Sequence, residues 1–109
     1  MAELDAGRAA DAAIRTGSDP TGTPIVTVSG DLDISNADAL DAAVTSITAT
    51  SPERLIFDLS GLRFIDSAGI TVLLGATAKV NDVRIRKPSP AVRRVVELTG
   101  LDEVLPIEP

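Results

Sequence analysis

The chain has 109 residues, of which 44% are hydrophobic and 24% are charged, a balance typical of one small globular domain and not of a disordered chain. Sixteen acidic residues against ten basic ones give a net charge of −6, which argues against a nucleic-acid partner because phosphate contacts need clustered basic side chains. The sequence contains no cysteine and no histidine, so it offers no zinc site, thiolate nucleophile or imidazole base, and we expect a protein that is not an enzyme and uses no metal or cofactor.

The termini and the apolar segments predict where the protein resides. No apolar stretch approaches the roughly 20 residues that a membrane helix needs. The first five residues lack the basic and apolar regions of a signal peptide. We therefore expect a cytoplasmic protein without a membrane span, in which residues 1–13 form a loose arm ahead of one domain at 14–109.

The first half of this domain predicts a hairpin followed by a helix. A weak strand at 13–16 and a β-branched strand at 25–28 flank a cluster of glycine, proline and other turn-forming residues. From residue 36 to residue 49 the apolar residues recur at helical spacing. This pattern predicts an amphipathic helix that is capped by Ser35 or Asn36.

The middle of the chain predicts a buried strand, a loop and a second helix. Residues 55–59 form a short apolar run, as expected of a central strand covered on both faces. Ser60 and Gly61 then predict a loop, and residues 67–80 predict a helix. The apolar stripe expected to face the sheet consists of Ile70, Leu73, Leu74, Thr77 and Val80.

The last part of the chain predicts one more strand and one more helix. Apolar and basic residues alternate over 83–87, which indicates a strand with its basic face in solvent. A third helix is predicted from Ser89 as its cap, through Pro90 in its first turn, to Gly100 at its end. Strands that alternate with helices in this way predict an α/β fold with a mostly parallel central sheet, an N-terminal antiparallel hairpin and helices packed on the sheet.

Ser67, which follows Asp66 at the start of the second predicted helix, admits two interpretations. The commoner one is structural, in which the hydroxyl caps the helix. In the functional one, Ser67 is phosphorylated, and a charge of about −1.5 to −2 at the positive helix end is tolerated by the fold. Added to the charge of Asp66, it would repel acidic or apolar groups of a partner, which suits a binding switch. A serine nucleophile is disfavoured because no histidine and no G-x-S-x-G elbow accompany Ser67.

Three stretches of the sequence resemble one known family. Residues 58–76, DLSGLRFIDSAGITVLLGA, resemble the signature of STAS domains, in particular of bacterial anti-sigma factor antagonists. GDLDISNADAL at 30–40 and PSPAVRRVVELTGLDEVLP at 88–106 are similar to further parts of that family, in the family's order. The resemblance implies a single small STAS-type α/β domain that binds an anti-sigma factor, itself a serine kinase that uses ATP. Such binding frees a sigma factor for transcription, in a partner-switching stress response.

The resemblance also implies a site. Ser67 stands at the family's phosphoacceptor position, so its phosphorylation would weaken the complex and a phosphatase would restore it. Ala68 stands where a second serine is common in the family, which leaves Ser67 as the single acceptor. The expected partner surface consists of Asp31, Asp33, Ser35, Asn36, Asp66, Ser67, Ala68, Gly69 and Thr71. For Asp31 and Asp33, an equally good interpretation is that they are solvated acids near a helix N-terminus.

A second function shares the same fold: an accessory STAS subunit of a transporter or of a larger signalling assembly. The acceptor serine in its D-S-A-G context and the minimal length of the domain favour the antagonist.

Overall fold

The computed structural model of the protein describes residues 12–108 and consists of a four-stranded sheet with three α-helices. In chain order the elements are β1 (Ala12–Ser18), β2 (Pro24–Leu32), α1 (Ala37–Thr48), β3 (Arg54–Ile65), α2 (Ser67–Thr77), β4 (Asp82–Arg86), α3 (Pro90–Leu98) and a short 3₁₀ helix (Leu101–Glu103). The arm predicted at 1–13 lies outside the described residues, apart from Ala12 and Ala13, which begin β1. Within residues 12–108, no helix is both long enough and apolar enough to traverse a membrane.

The sheet combines one antiparallel pair with two parallel pairs, in the spatial order β1-β2-β3-β4. β1 and β2 form the predicted antiparallel hairpin, whereas β2 with β3 and β3 with β4 run parallel. The outer edge of β4 meets the end of the chain, where the Ile85 N–H donates to the Pro106 carbonyl at 2.9 Å and the Glu108 N–H donates to the Ile85 carbonyl at 2.8 Å. These pairings confirm the predicted fold class.

The core lies on one face of this sheet. Strand residues such as Val26, Phe57 and Ile85 form a single buried cluster with residues from all three helices. The cluster is almost entirely aliphatic, and Phe57 is its only aromatic member. The amphipathic patterns of the sequence therefore bring α1, α2 and α3 to the same side of the sheet.

β3 is longer than the sequence indicates, and the loop predicted from Ser60 and Gly61 is wrong. The strand continues to Ile65, because two register shifts against β2 each absorb one extra residue of β3. One shift lies beside Gly61, where a Cβ atom would come within 2.9 Å of the Ser29 Cβ. Gly61 thus permits a close approach of two strands and does not mark a turn.

The orientation of α2 also differs in part from the prediction. Gly69, Leu73 and Ala76 are its buried residues, whereas Leu74 is 40% exposed. The stripe predicted to include Leu74 is therefore wrong at that position. The buried face of the helix runs through residues 69, 73 and 76, so Leu74, one position further along, remains on the outside. Val80 packs into the core from the segment after the helix.

Candidate functional site

The two sequence motifs that suggest function meet at one edge of the sheet. β2 and β3 are parallel neighbours whose last paired residues are Leu32 and Ile65, so the segments that follow them start side by side. The Asp66 N–H donates to the Leu32 carbonyl at 3.1 Å, which ties the start of α2 to the end of β2. This edge, outside the carboxyl ends of parallel strands, is where α/β sheets most often carry their sites.

Asp66, and not Ser67, caps α2. Its Oδ1 atom accepts hydrogen bonds from the Ala68 N–H at 2.9 Å and from the Gly69 N–H at 3.2 Å. Asp66 has the extended backbone of a cap residue, while Ser67 is already the first helical residue. The interpretation of the Ser67 hydroxyl as the cap is therefore wrong, because the preceding carboxylate takes up the free N–H groups of the first turn.

Ser67 is consequently free for another use. The residue is exposed, and its hydroxyl forms no hydrogen bond to any residue in the described part of the chain. Its backbone carbonyl accepts a hydrogen bond from the Thr71 hydroxyl at 2.8 Å, so these two exposed residues lie on one face of the first turn. The side chain of Ser67 stands in solvent at the positive end of the α2 dipole, where an added anion is favourable.

Gly69 sets how closely α2 approaches the sheet. A Cβ atom at this position would lie 2.8 Å from the Leu32 side chain and 2.9 Å from the Ile65 side chain. Gly69 is buried, so it positions the helix instead of offering a side chain to a partner, while the adjacent Ala68 is half-buried.

The segment between β2 and α1 is held by its own polar side chains. Asp33 Oδ1 accepts from the Ser35 N–H at 2.9 Å and from the Ser35 hydroxyl at 2.5 Å. Asn36 accepts from the Asp33 N–H and donates to the Asp31 carbonyl, both at 2.9 Å. Asn36 occupies the predicted cap position of α1, but its side chain makes no capping bond and braces the loop instead.

Asp31 lies in β2, on the strand side of that loop. Its carboxylate is 3.3 Å from the Arg63 guanidinium, and both side chains are substantially exposed. A surface pair of this kind adds little stability, but it offsets part of the negative charge at this edge. The sequence does not indicate Arg63 as part of this site, because residues 31 and 63 become neighbours only when β2 pairs with β3.

A groove between α1 and α2 was also missed. It is open to solvent and is lined by Ile34, Ala37, Asp38, Asp41, Ala68, Thr71, Val72, Gly75 and Lys79. Ile34 is 81% exposed, although it is large and apolar. An isolated isoleucine within a polar loop was the available signal in the sequence.

The arginines of β4 are paired with acids. Arg84 lies 2.9 Å from Asp82, and Arg86 lies 2.8 Å from Glu108. The hydrogen bond from Arg84 is the largest cause that lowers the pKa of Asp82 below its usual value of 3.8, with Arg54 adding to it. The pairs agree with the prediction that this strand carries a basic face in contact with solvent.

Comparisons with known proteins agree with one another. The family model described as STAS domain matches residues 17–109. Anti-sigma-F factor antagonist RsfB of Mycobacterium tuberculosis is 29% identical over 98 residues, which are 87% of this chain and 80% of that protein. RsfA, which bears the same description in that organism, is 31% identical over 91 residues, covering 78% and 71%.

The similarity extends to three dimensions. The crystal structure of an anti-sigma factor antagonist from Mycobacterium paratuberculosis superposes with a TM-score of 0.82 at 33% sequence identity, covering 90% of this chain and 86% of that one.

Proposed function

Because the chain belongs to the STAS domain family, among its anti-sigma factor antagonists, we propose that it binds an anti-sigma factor that is also a serine kinase, and that phosphorylation of Ser67 ends this binding. The protein acts as a ligand of that kinase in the cytoplasm and catalyses no reaction itself. A phosphatase that removes the phosphate resets it.

The exposure of the Ser67 hydroxyl is the observation that supports this proposal. Its hydroxyl is exposed and forms no bond within the described residues, so it is accessible to a kinase. Asp66 next to it holds the first turn of α2 through two backbone N–H groups. The helix start is therefore maintained whether or not the neighbouring hydroxyl is modified.

Phosphorylation would change the surface and leave the fold intact. A phosphoserine adds about −1.5 to −2 charge at neutral pH. A kinase that has just transferred a phosphoryl group still holds a nucleotide with its own negative phosphates near the acceptor. Repulsion between phosphoserine and nucleotide, together with the carboxylate of Asp66, weakens the complex.

The acceptor is tested by mass spectrometry. The full chain is incubated with ATP and each purified anti-sigma factor kinase encoded in the same genome, and tryptic peptides are mapped. We expect phosphate on Ser67 and none on a Ser67→Ala variant, whereas a Ser60→Ala variant, which removes another exposed serine, is phosphorylated normally. Phosphate on Ser60 or Ser89 with Ser67 unmodified contradicts the proposal.

The switch is tested by titration calorimetry against the kinase that modifies the protein. Ser67→Asp is expected to weaken binding by roughly ten- to hundredfold. Like charges brought together in a contact surface can cost several kcal/mol, and each 1.4 kcal/mol is about a factor of ten in affinity. The isosteric but neutral Ser67→Asn is the matched control, and it should bind more tightly than Ser67→Asp. An affinity of Ser67→Asp equal to that of the unmodified protein would show that this edge lies outside the interface.

A further inference from the structure

We propose that the groove between α1 and α2 receives an amphipathic helix of the anti-sigma factor, with the basic edge of that helix against α1 and its apolar edge against α2. This inference rests on the proposed function, because it names the kind of segment by which that partner docks. The groove begins beside Ile34 and Ala68, next to Ser67, and extends to Lys79.

The two walls of the groove differ in charge. On α1, Asp38 and Asp41 are exposed and stand three residues apart, so both point along the same face of the helix. The residues that α2 contributes are uncharged, namely Ala68, Thr71, Val72 and Gly75. Among the described lining residues the only cation is Lys79, which donates to the Thr45 hydroxyl at 3.2 Å at the far end. A helix with one basic and one apolar edge complements this asymmetry.

Gly75 keeps the groove open, although glycine lowers the stability of the α2 helix. A Cβ atom added there would meet nothing within 4 Å, and the backbone of Gly75 is not in the left-handed region. Neither packing nor backbone conformation of this chain therefore calls for glycine, which is a poor helix former. Its missing side chain leaves room on the α2 wall for an apolar side chain of a partner, next to Val72.

The walls favour a helix as the occupant. Both are α-helices whose backbone groups bond internally, so the groove offers no strand edge for pairing and must be recognised by side chains. From Ala68 to Gly75 the α2 wall is about 10 Å long, which matches two turns of a docked helix. A second copy of this chain would bring like charges together, since the net charge is −6 and the α1 wall is acidic.

Two variants test the groove by different physical means. Gly75→Leu fills it without adding charge, and a double variant, Asp38→Lys with Asp41→Lys, reverses the charge of the α1 wall. The matched controls are Ala91→Leu on α3 and the double variant Glu53→Lys with Glu103→Lys, which alter exposed residues outside the groove. Circular dichroism melting verifies that each variant is folded before binding is measured.

The readouts are calorimetric affinity for the kinase identified by Ser67 phosphorylation, and the kinetics of that phosphorylation. We expect each groove variant to bind about tenfold more weakly or worse, and each control to stay within about twofold of the unmodified protein. Phosphorylation of the groove variants by that kinase should show a raised KM with little change in kcat, because the groove does not touch the reacting hydroxyl.

The groove inference is separable from the proposed function. Unchanged affinity of both folded groove variants, with normal phosphorylation of Ser67, would overturn the groove inference and leave the proposed function standing. An unmodified protein that neither binds nor is phosphorylated by any anti-sigma factor of its genome would overturn the proposed function and the groove inference together. Self-association in sedimentation that Gly75→Leu abolishes would assign the groove to a second copy and overturn the inference.

Discussion

The capping of α2 gives a prediction in which two adjacent residues are expected to behave oppositely. Replacing Asp66 by alanine removes the acceptor for the N–H groups of Ala68 and Gly69, at 2.9 and 3.2 Å, together with a negative charge at the positive end of the helix. Loss of a cap costs about 0.5–2 kcal/mol, and loss of the favourable charge costs about 0.3–1 kcal/mol. We expect Asp66→Ala to lower the free energy of unfolding by about 1–2 kcal/mol.

Ser67→Ala should stay within about 0.5 kcal/mol of the unmodified protein, as is usual for an exposed side chain without a structural role. Urea denaturation followed by circular dichroism measures both values, and about 1 kcal/mol corresponds to a shift of roughly 4–8 °C in Tm for a domain of this size. Asp66→Asn is the control, because asparagine can still accept the capping hydrogen bonds and the substitution removes only the negative charge. If Ser67→Ala proved as destabilising as Asp66→Ala, our assignment of the cap would be refuted.

Three further predictions follow from packing and charge. Leu73→Ala removes a fully buried side chain of α2 and should cost roughly 2–5 kcal/mol in urea denaturation, and a negligible change would mean that the helix faces the sheet differently. Gly69→Ala should destabilise by about 1–3 kcal/mol, because the new methyl group meets Leu32 at 2.8 Å, and an unchanged midpoint would refute the close approach of α2 to β2. Hydrogen bonding from Arg84 lowers the pKa of Asp82, so this carboxylate stabilises the fold above its usual value of 3.8 and loses that effect as the pH falls through the lowered pKa. Asp82→Asn should therefore be less stable at neutral pH and lose less stability on acidification than the unmodified protein, and parallel pH profiles of the two proteins would contradict this.

The fold class and the family could be predicted correctly from the sequence, because the patterns that indicate them lie within single helices, strands or motifs. The apolar spacing of α1, the β-branched hairpin strand and the proline-to-glycine frame of α3 each occur within one element, so neighbouring residues suffice to identify them. The three motif stretches gave the STAS resemblance, which the family model and the relatives confirm. Elements of this kind can be predicted because their cause lies in their own residues.

The failures arose where a distant residue decides the outcome. Gly61 appeared to mark a turn, but it is a point of contact with Ser29 of another strand. The hydroxyl of Ser89 sits at the cap position of α3, yet it donates to the Leu62 carbonyl at 2.6 Å instead of capping the helix. Serine is a frequent cap residue, so the sequence admits Ser67 as the cap of α2, whereas the Asp66 carboxylate accepts the hydrogen bonds of the first turn. In each case the usual structural preference of the residue type suggested a turn or a helix cap, and contacts in the folded structure gave the residue a different role.

The bracing of the loop between β2 and α1 has a consequence for how quickly partners can be exchanged. Asn36 and Asp33 fix this segment through side-chain bonds, and Asp66 fixes the neighbouring segment. A surface that is already ordered loses little conformational entropy when a partner arrives, so association need not wait for a loop to find its bound shape. The association rate of such a complex is then set by diffusional encounter and its lifetime by the dissociation rate. Free protein can therefore bind as soon as its partner becomes available.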